Sequence, residues 1–455
     1  MLNQKSAILF LFFEGFAAIA VQFIFLRQVM PFVGSSVVIT SIVISLFLGA
    51  LALGYKKGGS IQKEHQKVLS SNLFRAAILL GIFASYYFLT SLYIFTVDIN
   101  PIGVLVLYLL IIMVPLVYYI AQTIPILVNF MKDNQASQKA GNALAFSTIG
   151  NMFGGIITTV LIMYYFGISW AVVITVFILF SLSLYVSMQK TKRLLYILFF
   201  SPIIFIVNIQ YSSLVHVAET LYSNYTVIKD NNATRLYINR SSSSKVSNTK
   251  KEPYKYLMKI KEIIMKYPNY SNEAKILVIG AGGFTLNADK KLKGEILYVD
   301  IDNKIRDVAE KYFLKEPING KFNGGVDARV FLRRSKDFFD FIVVDAYFSR
   351  SNIPENLTTT EFFENLRKHI KPDGIMIANL IINPYLADKY SKKMDNTIRK
   401  SFKSCYTHAL ISNKTSSTNV LYICTNEEKY KTNVTTLHYT DSNNQPTIDF
   451  INHKY

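Results

Sequence analysis

Lys275–Asp302 reads KILVIGAGGFTLNADKKLKGEILYVDID. Its apolar run Ile276–Ile279 has the length of a buried strand, and Gly280, Gly282 and Gly283 follow at once. Glycine permits a sharp strand-to-helix turn and lets the backbone pass close to a ligand. We therefore expect a strand, a glycine turn, a short helix, and a second strand ending at Asp300. In such a unit the helix amides face the ligand, and an acid at the tip of the second strand can accept hydrogen bonds from two ribose hydroxyls. Because such folds host many chemistries, function must be argued from the site itself.

The chain has 455 residues, room for two or three domains. Its formal charge is +19. The stretch before His216 holds 12 Lys/Arg against 4 Asp/Glu, a net of +8, which leaves 37 against 26, a net of +11, for the rest. Those later cations are scattered among acids with no aromatic-interleaved stripe, which argues against nucleic acid and for a solvated surface near anionic headgroups. Cys405 and Cys424 are the only cysteines, with no CxxC and no Cys/His cluster. We expect neither a structural zinc nor a disulfide framework. The first apolar run is too long for a cleavable signal, and further apolar runs follow.

Seven apolar segments approach the roughly 20 residues that span a bilayer. They are Ser6–Met30, Val37–Tyr55, Leu73–Thr96, Ile102–Phe130, Ala140–Phe166, Ser169–Met188 and Leu194–Gln210. The fourth carries Pro115 and Pro125, which predicts a kink or tilt. In the fifth, Gly141, Ala143, Ser147, Gly150, Gly154 and Gly155 form a small-residue face suited to close helix packing. Glu14 lies inside the first segment and Arg27 near its far end, too far apart to pair within one helix. A membrane carboxylate is a candidate functional group, against the plainer reading of a hydrogen bond within the bundle. Cations gather in the second, fourth and sixth connections: Lys56, Lys57, Lys63, Lys67 and Arg75, then Lys132 and Lys139, then Lys190, Lys192 and Arg193. That bias puts the N-terminus inside. Seven full spans would then place the C-terminal half outside the cytosol, whereas a nucleoside co-substrate is expected within it. We therefore expect one segment not to span. The last, short and carrying Pro202 and Asn208, is the weakest, and a cytoplasmic C-terminal half follows.

Beyond Tyr211 the chain turns polar. YTVIKD and TRLYIN, separated by Asn231 and Asn232, predict a β-hairpin. Ser241–Ser244 reads as a loop, and Tyr254–Lys266 has helical periodicity. From Lys275 onward strands and helices alternate, the pattern of a parallel, doubly wound sheet. The segments Cys405–Ile411 and Val420–Thr425 could close that sheet as an antiparallel pair. After Asn426 we expect a loose polar tail. The divisions are 1–210, a multi-pass membrane domain; 211–270, a hairpin and helix region; 271–426, a nucleoside-binding catalytic domain; and 427–455, the tail.

Three acids, Asp300, Asp327 and Asp345, fall at the carboxyl ends of successive strands, the edge where open α/β sheets bind ligands. Asp300 lies 18 residues after Gly282, near the spacing of a ribose-binding acid. Asp327 could accept from an adenine amino group. Asp345, at the end of a central strand, could take a proton from an amine nucleophile. The plain alternative is that these acids cap the helices that follow them. Thr285 stands where a dinucleotide pattern wants its third glycine, which counts against NAD.

The run from Glu219 to Ile381 resembles the spermidine synthase family (polyamine aminopropyltransferases), in its membrane-fused branch. The pieces are ETLYSNYTV, RLYIN, ILVIGAGGFTL, YVDID, VDARVFLRR, FIVVDAYFSRSNIP, LTTTEFFENL and KPDGIMIANLI, with FFEGFAAIAVQFIFLRQVMPFVGSS and LFLGALALG earlier. The resemblance implies an α-helical transmembrane bundle followed by an α/β Rossmann-like domain of the class I methyltransferase type, with a small N-terminal β-hairpin region. It implies transfer of an aminopropyl group from decarboxylated S-adenosylmethionine to an amine. Gly280, Gly282 and Gly283 would approach this co-substrate, Asp300 would hold its ribose, Asp327 and Ala328 its adenine. Asp345 would deprotonate the acceptor, with Tyr222 and Tyr347 beside it. No permanently bound cofactor and no metal are implied, because a sulfonium is already activated and positioning plus a base suffices. The implied partners are a small amine or a membrane-borne acceptor and the lipid bilayer, with no nucleic acid and room for a homodimer.

The chain also departs from that family. The glycine turn lacks the family's acid, Phe348 replaces a second Asp, Ser223 replaces a Gln, and Tyr254 and Tyr256 stand near where a His is usual. Polyamine pockets need carboxylates to offset desolvation of the cation, so the nucleoside side matches better than the amine side. Two other readings stay open: an S-adenosylmethionine-dependent methyltransferase acting on a membrane-borne acceptor, and a non-catalytic nucleoside-binding membrane protein.

Overall fold

The computed structural model describes residues 4–34, 36–96, 99–130, 136–347, 353–411, 416–427 and 437–449. The chain divides into two compact units, one of Met1–Val33 with Val37–Leu221, the other of Gly34–Ser36 with Tyr222–Tyr455. In the first unit six helices are long and apolar enough to cross a membrane: Ser6–Val33, Val37–Gly59, Pro101–Asn129, Ala140–Phe166, Ile168–Val186 and Lys190–Val215. A seventh is broken, His65–Phe83 and Tyr86–Phe95 meeting at 59°. The interrupted segment is thus the third. The expectation that the last would be the weak one is corrected, since the helix from Lys190 absorbs Pro202 and runs on to Val215.

The break has a physical cause. Ser85 leaves helical geometry and its Oγ caps the next helix by accepting from Phe88 N at 3.2 Å. The carbonyls released there are taken up by neighbours, Phe83 O by Tyr108 Oη at 3.0 Å and Ala84 O by Gln28 Nε2 at 2.9 Å. Without such partners a broken helix in hydrocarbon would cost several kcal/mol per orphaned group. Glu14 is buried and accepts from Ser147 Oγ at 2.9 Å, the bundle hydrogen bond of the plainer reading. Around it the first helix and the Ala140–Phe166 helix approach closely. A side chain on Gly15 would strike the Ser147 carbonyl, and one on Gly150 the Phe12 carbonyl. Gly141, by contrast, touches nothing.

The second unit carries a sheet of seven strands, in spatial order Ser404–Ala409, Thr418–Thr425, Ile370–Ile382, Phe339–Val344, Lys275–Ile279, Glu295–Asp300, Lys321–Gly324. The last five are parallel to one another, while Thr418–Thr425 runs antiparallel to both of its neighbours. This is a mixed Rossmann-like sheet. The central strands, Ile276–Ile279 and Phe341–Val344, are buried on both faces, as crossover helices on either side require. Before it, Asn224–Lys229 and Ala233–Ile238 pair as the expected hairpin. The segment read as a serine loop is instead a third strand, Ser241–Ser247, paired with Ala233–Ile238. Four serines in a row gave no apolar alternation, so only tertiary pairing reveals it. The sequence reading also missed the amphipathic helix Lys389–Ser401.

Two further expectations are corrected. The tail is not loose over 437–449: Tyr439 is fully buried, its Oη donates to Asp449 at 2.9 Å, and Asp449 meets Lys393 at 2.8 Å in a nearly buried ion pair. Asp441 receives both terminal nitrogens of Arg329. Cys405 and Cys424 form a disulfide, facing each other across the antiparallel pair in the core. Spacing alone did not reveal it because the partners meet through strand register. Closing a loop of this size should contribute roughly 3 kcal/mol. Reduction, or the Cys405→Ala/Cys424→Ala pair, is expected to lower the unfolding temperature of the purified chain by several degrees, read by calorimetry with and without reductant.

Candidate active site

Four parallel neighbours set the site. Phe339–Val344, Lys275–Ile279, Glu295–Asp300 and Lys321–Gly324 end at one edge, spaced about 4.8 Å apart. Asp345, Gly280, Asp300 and the turn before Asp327 therefore lie side by side. Backbone bonds hold them there: Asp345 N donates to Ile279 O at 2.9 Å, Gly280 N to Val299 O at 3.0 Å, and Val326 N to Asp300 O at 3.2 Å.

Gly280 has φ +87°, and a Cβ there would stand 2.5 Å from the Asp345 carbonyl. Only glycine meets both demands. Gly282 also has positive φ. The expected short helix after the turn is corrected to a single 3-10 turn, Thr285–Asn287, entered through a left-handed Phe284. The Gly283 amide donates to Ser244 Oγ at 2.8 Å, so the predicted row of ligand-facing helix amides does not form. Ser244 comes from the strand that the sequence hid.

Asp345 is held on both oxygens. Tyr256 Oη donates to Oδ2 at 2.8 Å and Asn379 Nδ2 to Oδ1 at 2.8 Å. Asn419 Nδ2 donates to Asn379 Oδ1 at 2.9 Å, which fixes the amide's orientation. Tyr254 stacks on Tyr256 with ring centroids 6.3 Å apart. Burial pushes the Asp345 carboxyl above its ordinary value, and the Asn379 and Tyr256 hydrogen bonds pull partly back. A carboxylate whose proton affinity is raised by burial is suited to accept a proton from a bound group. Asn379 was legible in principle, as a lone amide inside the apolar run IMIANLII. No spacing rule marks its partner.

Asp300 accepts from Ala281 N at 2.9 Å through one oxygen and from Asp302 N at 2.9 Å through the other. Burial pushes its carboxyl up to about 6 against those two bonds. Asp302 in turn accepts from Tyr225 Oη at 2.7 Å. Asp327 caps the helix Ala328–Arg334 through Oδ1 and takes Asn356 Nδ2 on Oδ2 at 2.8 Å. It thus does the capping work that was its plainer reading, while remaining on the same edge. Ala328 is the first residue of that helix and is buried. Tyr347 is committed to the backbone, donating to Asn379 O at 3.0 Å and accepting from Ile381 N at 2.9 Å. Tyr222 is exposed and shares no hydrogen bond with Asp345. Phe348 lies outside the described residues.

With this geometry in hand, comparison with known proteins is informative. Residues 258–435 match the spermine/spermidine synthase domain. The polyamine aminopropyltransferase of Vibrio vulnificus is 32% identical over 123 residues, 26% of this chain and 41% of that protein. That of Clostridium botulinum is 32% identical over 143 residues, 29% of this chain and 47% of that protein. Residues 258–435 are a spermine/spermidine synthase domain. The chain spans less than half the length of these two curated relatives. The spermidine synthase structure from Thermotoga maritima is 18% identical, covers 49% of this chain and 79% of its own, and superposes with a TM-score of 0.36. The synthase domain begins within the helix that carries Tyr256, so the matched span holds every acid of the edge but not the tyrosine that clamps Asp345.

A ribose held by Asp300 would need an ionised carboxylate, because a protonated one loses an acceptor. Affinity of the synthase domain for methylthioadenosine is expected to be constant above about pH 6 and to fall about tenfold per unit below it. Calorimetric titration checks this, and a flat profile down to about pH 5 would remove Asp300 from the ribose.

Proposed function

We propose that this chain is a membrane-anchored aminopropyltransferase that moves the aminopropyl group of decarboxylated S-adenosylmethionine to an amine. The observation that carries the reading is the Asp345 carboxylate, held between Tyr256 and Asn379 at the end of a central strand. The match of residues 258–435 to the synthase domain gives that carboxylate its chemical context.

An alkylammonium has a pKa of about 10.4, so at neutral pH the acceptor arrives protonated and cannot attack. Asp345, its proton affinity raised by burial, takes that proton. The freed nitrogen lone pair attacks the propyl carbon attached to the sulfonium. The carbon–sulfur bond breaks with its electrons going to sulfur, and methylthioadenosine leaves as a neutral thioether. Asp300 holds the ribose and the turn at Gly280 and Gly282 lets the backbone approach the nucleoside. The Asp327–Ala328 corner meets the adenine. The apolar helices of the first unit supply the anchor. Asp345 is the one acid beside the acceptor in this reading, with Tyr256 and Tyr254 forming an aromatic wall that suits a cation.

The purified full chain is to be assayed by mass spectrometry with decarboxylated S-adenosylmethionine and a panel of amines, S-adenosylmethionine running in parallel. Asp345→Asn is expected to lose roughly a hundred- to ten-thousand-fold in kcat with methylthioadenosine affinity nearly unchanged. Product at the wild-type rate would end the mechanism, and methylated product in place of aminopropylated product would replace the donor. Tyr256→Phe removes a hydrogen bond that favours ionised Asp345. Its proton affinity rises, so the acid limb of the kcat/KM profile should move to higher pH.

A further inference from the structure

We infer that the broken third segment is a complete crossing, so that the chain leaves the bundle on the side opposite its cationic connections and the synthase domain works outside the cytosol. The direction of each helix is set by its neighbours. His65–Phe83 and Tyr86–Phe95 follow the last helix in step: Ser71 meets Arg193, Phe74 meets Tyr196, Gly81 meets Ile204, and Tyr87 meets Tyr211. Residue numbers rise together through His65–Phe83 and on to Tyr87, so the first piece runs parallel to the last helix and the chain is still advancing along it where the second piece begins. A re-entrant loop would turn back and reverse that order.

A second pair gives the same parity independently. Gly54 abuts Tyr118 and Ala121, Gly58 abuts Gln122, and Asn129 Nδ2 donates to Gly59 O at 2.9 Å. Val37–Gly59 and Pro101–Asn129 are therefore parallel. Two parallel spans in sequence require one full crossing between them, and only the segment His65–Phe95 is available. The bundle thus crosses an odd number of times, and the chain enters and leaves on opposite faces.

Charge fixes which face is which. Connections on one face carry Lys56, Lys57, Lys63, Lys67, Lys132, Lys139, Lys190, Lys192 and Arg193 against the acids Glu64 and Asp133; those on the other, 34–36, 96–100 and Gly167, hold no cation and one acid, Asp98, with Arg27 alone in the adjoining helix end. The excess of cations marks the cytosolic face. The Cys405–Cys424 disulfide, which played no part in that count, belongs to an oxidising compartment. The nucleoside and amine must accordingly reach the synthase domain from the non-cytosolic side.

Lys57 and Lys336 are both exposed, one on a cationic connection and the other in the synthase domain. In intact cells expressing the full chain, a membrane-impermeant maleimide is expected to label Lys336→Cys, and Lys57→Cys only after permeabilisation. Wild-type chain quenched with acid and denatured without reductant should show no free thiol. Labelling of Lys57→Cys alone, labelling of both in intact cells, or two free thiols in the quenched chain would overturn the inference. None of these readings depends on turnover or on nucleoside binding, so they stand or fall apart from the proposed reaction.

Discussion

The backbone crossing between Gly280 and Asp345 is the constraint on which the second unit depends. With φ at +87° and no room for a Cβ beneath the Asp345 carbonyl, Gly280 lets the central strand end in a tight turn at the point where its neighbour ends in an acid. Parallel pairing then places Asp300 on the far side of the same turn. The sheet order turns residues 20 or more apart in sequence into neighbours at one edge. Each acid next acquires donors suited to its position: two backbone amides for Asp300, a tyrosine and an amide for Asp345. In both carboxyls the hydrogen bonds lower what burial raises.

The first unit solves a different problem, that of polar groups buried among apolar helices. Glu14 has Ser147, Asn72 has Gln122, and the carbonyls bared by the break at Ser85 have Tyr108 and Gln28. Close approach at Gly15, Gly54, Gly58 and Gly150 supplies dispersion contacts that lipid cannot drive. The break, a bend of 59°, is thus absorbed within the bundle.

The two halves of the active edge differ in kind. The nucleoside side is built from backbone and from acids set by the strand–turn–strand unit. The acceptor side is assembled from distant pieces: Tyr256 from a helix before the sheet, Asn379 from the neighbouring strand, and Asn419 from the antiparallel strand beyond it.

The sequence by itself determined the apolar segments, the strand–glycine–strand unit, the hairpin, and the edge on which Asp300, Asp327 and Asp345 fall. These follow from local pattern, since hydrophobic runs and glycine geometry act within a few residues. It could not show the serine strand at Ser241–Ser247, the cysteine pair, the docking of 437–449, or the clamp on Asp345. Each of these is a pairing between residues that share no periodicity, and only strand register and packing bring them together. That the third apolar segment is broken at Ser85 was decided in the same way. Tyr108 and Gln28 take up the carbonyls bared there, and no count of hydrophobic residues records which neighbour a helix runs beside.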